Sequence, residues 1–315
     1  MCTAISYKCK DTYFGRNLDL EHGYGERVVI TPRRFAFQMR HAGTLSVHYA
    51  MIGMAAVAEG FPLYFEATNE KGLSMAGLNF PQSAVYAEQV EGKANVAPFE
   101  LIPWILGQCA CVAEAKQLFA NTNVTNTSFN RELPVSPLHW MICDLGSSIV
   151  FECRREGMRL FDNPFGVLTN DPPFEYHAMN VNNYMGLGVG KAEARLGKAL
   201  PFFNYSAGMG ALGLPGDFSS ASRFVRALFV KENSVQGEDE QACVNQFFHI
   251  LSAVAMPKGC VCTPSGYEYT RYRCCCNVNK GIYYYSTYEK NIPIAIRMHG
   301  ADLERTQLYQ YESNE

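Results

Sequence analysis

Cys2-Thr3-Ala4-Ile5-Ser6-Tyr7 and, across Lys8-Cys9-Lys10-Asp11, Thr12-Tyr13-Phe14-Gly15-Arg16-Asn17-Leu18-Asp19 open the chain. Their β-branched and aromatic residues predict two strands, at Thr3 to Tyr7 and Thr12 to Asn17, hairpinned together. Such a hairpin can bring Arg16 and Asp19 beside Cys2. Cys2 follows the initiator, and its small side chain permits removal of Met1, which would leave a cysteine carrying a free α-amine. An α-amine titrates at about 8 and a thiol at about 8.5, so one residue would then hold both nucleophile and base. A guanidinium near that thiol lowers its pKa, and a carboxylate near the amine orients it. From position alone, Cys2 equally reads as the start of a buried strand, and Arg16 and Asp19 as a solvated strand end or a structural ion pair.

Further strands are predicted at Arg27 to Thr31, Tyr49 to Ala58, Tyr64 to Thr68 and Leu73 to Asn79, the last two joined by the turn Asn69-Glu70-Lys71-Gly72. Pro98 to Ala120 switches to helical spacing, with Phe99, Ile102, Ile105 and Leu106 recurring after a proline suited to a first turn. Strands return at Leu138 to Cys143 and Ile149 to Cys153, and Arg159 to Phe161 and Val167 to Thr169 are expected to extend the same sheet. Helices follow at about Glu175 to Met185, Ser222 to Glu232 and Glu238 to Ala255. A final hairpin, Tyr267 to Cys276 and Ile282 to Tyr288, turns at Asn277 to Gly281. Runs of strands alternating with runs of helices predict two antiparallel sheets faced by helices, an α+β fold. No repeat or linker marks a boundary, so residues 2–315 are expected to form a single domain once Met1 is removed.

With 27 Lys+Arg against 30 Asp+Glu, and no run of like charge, nothing suggests a nucleic-acid footprint or a polybasic membrane attachment. A 48% hydrophobic content excludes disorder. The longest uncharged stretches are broken by His, Asn, Ser, Gly and Pro, so no membrane span is expected. Lys8, Lys10 and Asp11 leave no room for an apolar secretory segment, and a cytoplasmic location is expected. Twelve cysteines in a reducing compartment would remain thiols, with Cys109, Cys111, Cys143, Cys153 and Cys243 as small core residues.

The collinear set Met1-Cys2-Thr3, Phe14-Gly15-Arg16-Asn17-Leu18-Asp19, Asn69-Glu70-Lys71-Gly72-Leu73, Ala76-Gly77-Leu78-Asn79-Phe80-Pro81, Leu138-His139-Trp140, Gly166-Val167-Leu168-Thr169-Asn170, Leu214-Pro215-Gly216-Asp217-Phe218 and Ser222-Arg223-Phe224 resembles the choloylglycine (conjugated bile salt) hydrolases. The resemblance implies the four-layer αββα sandwich of N-terminal-nucleophile hydrolases. It also implies amide hydrolysis of glycine- or taurine-conjugated bile salts through an acyl-thioester on Cys2, without metal or other cofactor. Carried over by position, it makes Cys2 nucleophile and base, with Arg16 beside the thiol and Asp19 holding the amine. Asn79 and Asn170 become oxyanion donors, and Arg223 completes the polar ring. Leu18, Tyr24, Ala58, Phe129 and Leu133 would line an apolar substrate slot, although each reads equally well as core or loop packing. The long loop Asn121 to Pro137 has the length of a binding lid. Relatives of this kind imply a homotetramer.

Penicillin V acylase activity is the alternative within the family. Asn79 favours bile salts, because the penicillin branch tends to carry an aromatic in this turn. Cys260-Val261-Cys262 and Cys274-Cys275-Cys276 could suggest a metal or redox site, but alternate residues of a strand diverge and no paired histidine lies nearby. His139 reads as a satisfied core histidine, and Tyr283-Tyr284-Tyr285 as a strand buried on one side.

Overall fold

The first hairpin forms as its sequence predicts. β1 (Cys2–Lys8) lies antiparallel to β2 (Thr12–Leu20). The computed structural model describes residues 1–197 and 199–312. β3 (Arg27–Thr31) and β4 (Met51–Ala58) lead into β5 (Phe61–Asn69) and β6 (Ser74–Asn79). In the turn between β5 and β6, Asn69 Oδ1 accepts the backbone N–H groups of Lys71 and Leu73, both at 3.0 Å. Gly72 supplies the φ of +87° that a residue with a Cβ avoids.

After the helices described below, β7 (Leu138–Cys143), β8 (Ser148–Arg154) and β9 (Gly157–Asp162) form a meander. β10 (Val167–Leu168), β11 (Gly266–Asn277), β12 (Ile282–Thr287), β13 (Ile294–Arg297) and β14 (Tyr309–Tyr311) fill the remaining places along the two sheets, and the short strand Val261–Thr263 pairs onto β11. One sheet runs β10-β1-β2-β11-β12-β13, and the other β9-β8-β7-β6-β5-β4-β3-β14; every pairing along both is antiparallel. The expectation that Val167 to Thr169 extends the sheet of Arg159 to Phe161 is therefore wrong. The chain leaves β9 through Asn163, whose side chain accepts from Gly166 N and donates to Val167 O, and β10 crosses to pair with Ala4 and Ile5 of β1.

The single helical stretch expected at Pro98 to Ala120 is two helices, α1 (Leu101–Gln108) and α2 (Val112–Asn121), with extended Cys109 between them. The break is stabilised from outside the helix. Asn69 Nδ2 donates to Leu106 O and Cys109 O at 2.7 and 2.8 Å, and Asp144 Oδ2 accepts Val112 N at 2.8 Å. The remaining long helices are α3 (Phe174–Asn180), α4 (Ser220–Asn233) and α5 (Glu240–Ser252).

α4 and α5 cover the outer face of the first sheet, where Phe247 packs against Tyr7 and Tyr13 with ring centroids 6.5 Å away in each case. α1 and α2 cover the outer face of the second sheet, where Phe119 stacks on Phe151 at 4.2 Å. The inner faces meet between the sheets, giving the four-layer αββα sandwich. Cys274 and Cys276 of β11 pair with Tyr285 and Tyr283 of β12, all four buried.

Cys9 and Cys243 are joined by a disulfide that links the end of β1 to α5. This corrects the reading of all cysteines as thiols and of Cys243 as a plain core residue; Cys109, Cys143 and Cys153 are buried thiols and Cys111 is half-buried. Cys260 and Cys262 are exposed thiols, and no group of three metal-ligating side chains occurs among the described residues. The loop expected as a lid is packed at its start and at Phe129, while Asn130 to Pro137 are exposed or half-buried. Thr122 to Thr125 are buried, and Phe129 sits edge-on to Phe99 at 5.2 Å.

Candidate active site

Strand register decides which side chains meet Cys2. Cys2 pairs with Leu18, and Ala4 with Arg16, so the period of two places Cys2, Leu18 and Arg16 on one face, turned towards the second sheet. Thr3, Asn17 and Asp19 take the other face, where Asn17 Nδ2 donates to Leu251 O of α5 at 3.0 Å. Arg16 and Asp19 therefore flank the Cys2 strand from its two faces.

Arg16 is fully buried and held by backbone. Its Nη1 donates to Gly77 O at 2.6 Å and Phe65 O at 3.0 Å, while Nη2 is buried without a hydrogen-bond partner. Burial works against its charge, but the Cys2 thiol, the Tyr272 hydroxyl and the Glu66 carboxylate around it prevail and raise its pKa. Glu66 lies 3.9 Å from Arg16 Nε and accepts the hydroxyls of Tyr272 and Tyr283, each at 2.6 Å. Burial pushes its carboxyl pKa up, against the pull of Arg16 and both tyrosines. The inward Tyr283 thus has a structural role in the site's electrostatics.

On the opposite face, Asp19 Oδ1 accepts Thr270 Oγ1 at 2.5 Å, and Oδ2 is buried without a hydrogen-bond partner. Burial raises its pKa, opposed chiefly by Arg223 and the Met1 amine. Met1 continues the line of β1: its amine donates to Asp19 O at 2.9 Å, and its carbonyl accepts Asp19 N at 3.1 Å. The amine is also ion-paired with Glu268.

Asn170 and Arg223 close the ring. Cys2 N donates to Asn170 Oδ1 at 2.8 Å, and Arg223 Nη2 donates to the same oxygen at 2.7 Å. Arg223 Nη1 donates to Cys2 O at 2.5 Å and Thr3 Oγ1 at 2.7 Å, and Nε to Phe218 O at 2.9 Å. Burial lowers the pKa of Arg223, and Asp19 and Cys2 oppose that shift. Asn170 Nδ2 donates to Asn79 O at 2.7 Å; an amide nitrogen carries two hydrogens, so one remains for a developing oxyanion. Asn79 ends β6 and is half-buried, directly beside this amide.

The Asn170 turn is held by a buried shell that sequence reading did not find. Ser220 Oγ accepts Asn170 N at 2.8 Å and lies 2.9 Å from Asn170 O, and His177 Nε2 donates to Asn170 O at 2.9 Å. His139 behaves as the satisfied core histidine expected of it, bonded to Glu152 and Thr169 O and stacked on Phe80 at 4.2 Å. Glu66, Thr270, Glu268, Ser220 and His177 were all missed. The one available signal was the inward position of Arg16, which calls for buried acceptors.

The five apolar candidates divide into two groups. Leu18 is buried opposite Cys2, and Tyr24, exposed, has its ring 6.3 Å from that of Phe65, next to Glu66. Ala58, Phe129 and Leu133 belong to the cluster under the turn between β4 and β5, where Phe129 packs on Phe61 at 6.2 Å and Asn130 Nδ2 bonds Glu59 Oε1. Cys2 is 2% exposed. Two surface clefts lie on other faces, one beside Phe161 and Glu175, the other beside Arg33 and Lys71.

The family model of linear amide C–N hydrolases, choloylglycine hydrolase family, matches residues 2–311. The chain belongs to this family. It is 47% identical to a bile salt hydrolase/transferase of Lactiplantibacillus plantarum, across 99% of this chain and 96% of the relative. A bile salt hydrolase/transferase of Clostridium perfringens is 37% identical, across 100% and 97% of the two chains. A crystal structure of a mutant conjugated bile acid hydrolase from Clostridium perfringens superposes with a TM-score of 0.92 at 36% identity, covering 100% of this chain and 97% of the other. A penicillin V acylase from Agrobacterium tumefaciens, at 18% identity and a TM-score of 0.79 over 99% of this chain and 91% of its own, shares the fold. As a member of this family the chain is a linear amide hydrolase that uses an N-terminal cysteine nucleophile.

Proposed function

We propose that the chain hydrolyses the amide bond of glycine- or taurine-conjugated bile salts, with Cys2 as nucleophile and, once Met1 is removed, as base. The carrying observation is the position of Cys2 N, 2.8 Å from Asn170 Oδ1 and flanked by the Arg223 guanidinium. After removal of Met1 this nitrogen becomes the α-amine, and its acceptor is already in place. The relatives named as acting on bile salts span the same length as this chain, which supports the substrate class.

The thiol gives its proton to the α-amine, and the thiolate attacks the amide carbon while Arg16 faces it with an uncommitted Nη2. The remaining hydrogen of Asn170 Nδ2, together with Asn79, stabilises the oxyanion, a donor worth ~10²–10³ in rate. The amine proton goes to the leaving nitrogen, and water activated by the same amine opens the thioester. Asp19 and Arg223 hold amine and backbone in line. Leu18, paired with Cys2, and Tyr24, against Phe65, line the near end of the steroid slot, and Ala58, Phe129 and Leu133 its far wall. The Cys2 thiol, its α-amine and water account for every proton transfer, and the proposed steps call on no metal or organic cofactor.

Residues 2–315 act as one catalytic unit in the cytoplasm, assembled as a homotetramer. Met185, Val189, Leu196, Phe203, Tyr205 and Leu212 project from one segment as exposed apolar side chains, which supports subunit burial there. The test is intact mass plus amine release from glycocholate, taurocholate and penicillin V, beside Cys2→Ser and Cys2→Ala. Bile-salt turnover by protein lacking Met1, abolished in Cys2→Ala, is expected. Turnover of penicillin V alone would overturn the substrate assignment.

A further inference from the structure

The two residues assigned to the oxyanion stand on separate segments of the chain. Asn79 ends β6 of one sheet, and Asn170 lies just beyond β10 of the other. Two amides can share one developing charge only if the turns that carry them keep a fixed separation. The Asn170 turn is anchored at its own backbone by Ser220 and His177. Asn79 runs into a tight turn in which Phe80 O accepts Ser83 N at 3.3 Å and Ala84 N at 3.0 Å. Two donors of that turn point out of it. Gln82 N donates to Asp171 Oδ2 at 3.1 Å, and Ser83 Oγ donates to Asp171 Oδ1 at 2.6 Å. The second distance lies in the range of a charge-assisted O–H···O⁻ bond, about twice as strong as a neutral one. Because Asp171 directly follows Asn170, its two carboxylate oxygens join one oxyanion turn to the other. A buried tie runs alongside: His139 Nε2 donates to Thr169 O at 2.9 Å while its ring stacks on Phe80 at 4.2 Å. Asp171 and Ser83 are half-buried, at the rim of this arrangement.

We propose that Asp171 is a positioning residue for the amide hydrolysis: its carboxylate clamps Gln82 and Ser83 and so sets the separation of the Asn79 and Asn170 amides. The inference rests on the oxyanion roles given to these two asparagines in the proposed function. Both carboxylate oxygens are committed to the Asn79 turn, so Asp171 acts on the reaction only through the amides. Asn170 Nδ2 also donates to Asn79 O at 2.7 Å. That contact links one oxyanion donor to the backbone of the other, and a shift of the Asn79 turn therefore disturbs both. Such a shift weakens interactions that reach full strength only in the transition state. It should lower kcat while KM stays nearly constant. Deleting an oxyanion donor outright costs ~10²–10³ in rate, and letting one drift should cost part of that, about tenfold or more. The nucleophile is untouched, since Cys2 N and its neighbours Arg16 and Arg223 have other partners.

The experiment uses full-length enzyme with Met1 removal confirmed by intact mass, as wild type, Asp171→Ala, Ser83→Ala and the double variant. Glycine release from glycocholate gives kcat and KM. Alkylation of Cys2 by iodoacetamide, followed by mass spectrometry of the N-terminal peptide, is measured beside it. Iodoacetamide reacts at a saturated carbon and develops no oxyanion, so its rate reports the nucleophile alone. Asp171→Ala is expected to lower kcat about tenfold or more, with KM within about twofold and the alkylation rate unchanged. Ser83→Ala, which removes the shorter of the two bonds, should lower kcat about threefold, and the double variant should be no slower than Asp171→Ala, because both substitutions break one clamp. An unchanged kcat in Asp171→Ala would overturn the inference, showing that the His139 tie alone holds the turns. Equal losses in hydrolysis and alkylation, or multiplied losses in the double variant, would overturn it too. If Asp171→Ala does not fold, Ser83→Ala decides by the same split between hydrolysis and alkylation. Wild-type enzyme that releases no glycine would instead strike the proposed function, and this inference with it.

Discussion

Acidification should loosen the Asn170 turn through His177, and the size of the effect follows from its burial. His177 has no exposed surface, stacks on Phe224 at 4.9 Å and 10°, and donates from Nε2 to Asn170 O. Burial, aided by the nearby charges of His139 and Arg223 and opposed by the Asn170 bond, lowers its pKa from 6.5 to about 4. The folded chain therefore keeps His177 neutral where the unfolded chain protonates it. Between those two values the unfolded state binds the extra proton, so His177 contributes full stability above pH 6.5 and loses it as the pH falls towards 4. At about 1.36 kcal/mol per unit, the loss approaches ~3 kcal/mol. Asp19 and Glu66, whose carboxyl pKa values are raised, act in the opposite direction and lose stability as the pH rises. They are common to wild type and variant and cancel in the comparison. The assay is urea unfolding, followed by circular dichroism, of wild type and His177→Gln from about pH 7 to about pH 4. The glutamine keeps an N–H donor and cannot titrate. Wild type should lose ~3 kcal/mol more than the variant over this range. Parallel curves for the two proteins would refute the assignment of a buried, neutral His177.

Arg223→Met removes the donors to Cys2 O, Thr3 Oγ1 and Asn170 Oδ1; amide hydrolysis should fall at least ~100-fold, read as kcat/KM, since two charged hydrogen bonds at the nucleophile are lost. Thr270→Val leaves Asp19 Oδ1 without its hydroxyl donor, and chemical denaturation should report a loss of ~1–3 kcal/mol. Gly15→Ala would place a Cβ 1.9 Å from Cys274 O, a backbone clash between β2 and β11 that should cost ~3 kcal/mol or more and appear as insoluble or early-melting protein. Under denaturing, non-reducing conditions a thiol titration should count ten cysteines, two fewer than the twelve in the chain, because Cys9 and Cys243 are paired; twelve free thiols would show that the pair is reduced in the cell.

What the sequence made legible depended on how far apart the deciding partners lie. Cys2, Arg16 and Asp19 sit on adjacent strands separated by one short turn, and the hairpin expected from the sequence was enough to place the latter two near Cys2, although on opposite faces of its strand. Asn170 and Arg223 were reached only through resemblance, because one sits in an ordinary turn and the other on an amphipathic helix, and their shared oxygen links them across 53 residues. The break between α1 and α2 was invisible for a similar reason. The helical spacing runs straight through it, and the groups that stop it are the side chains of Asn69 and Asp144, on distant turns. The crossing of β10 to the first sheet likewise depends on the Asn163 turn, whose hydrogen bonds carry no periodic signal.

Glu66 marks where register alone could have gone further. In Phe65-Glu66-Ala67 a carboxylate between apolar residues reads as the solvated side of a strand, yet it faces Arg16 between the sheets. The pairing of Ala4 with Arg16 already placed a guanidinium on the inner face with Cys2. A buried guanidinium without acceptors would cost several kcal/mol, so some inner strand had to offer oxygen. Phe65 O, Gly77 O and Glu66 are those acceptors, all from the β5–β6 hairpin that the turn at Asn69 had made recognisable. Charge placed at an inner-facing strand position is therefore a search instruction: its partner must lie on the facing sheet, and here the partner ties the electrostatics of the nucleophile to the two inward hydroxyls of Tyr272 and Tyr283.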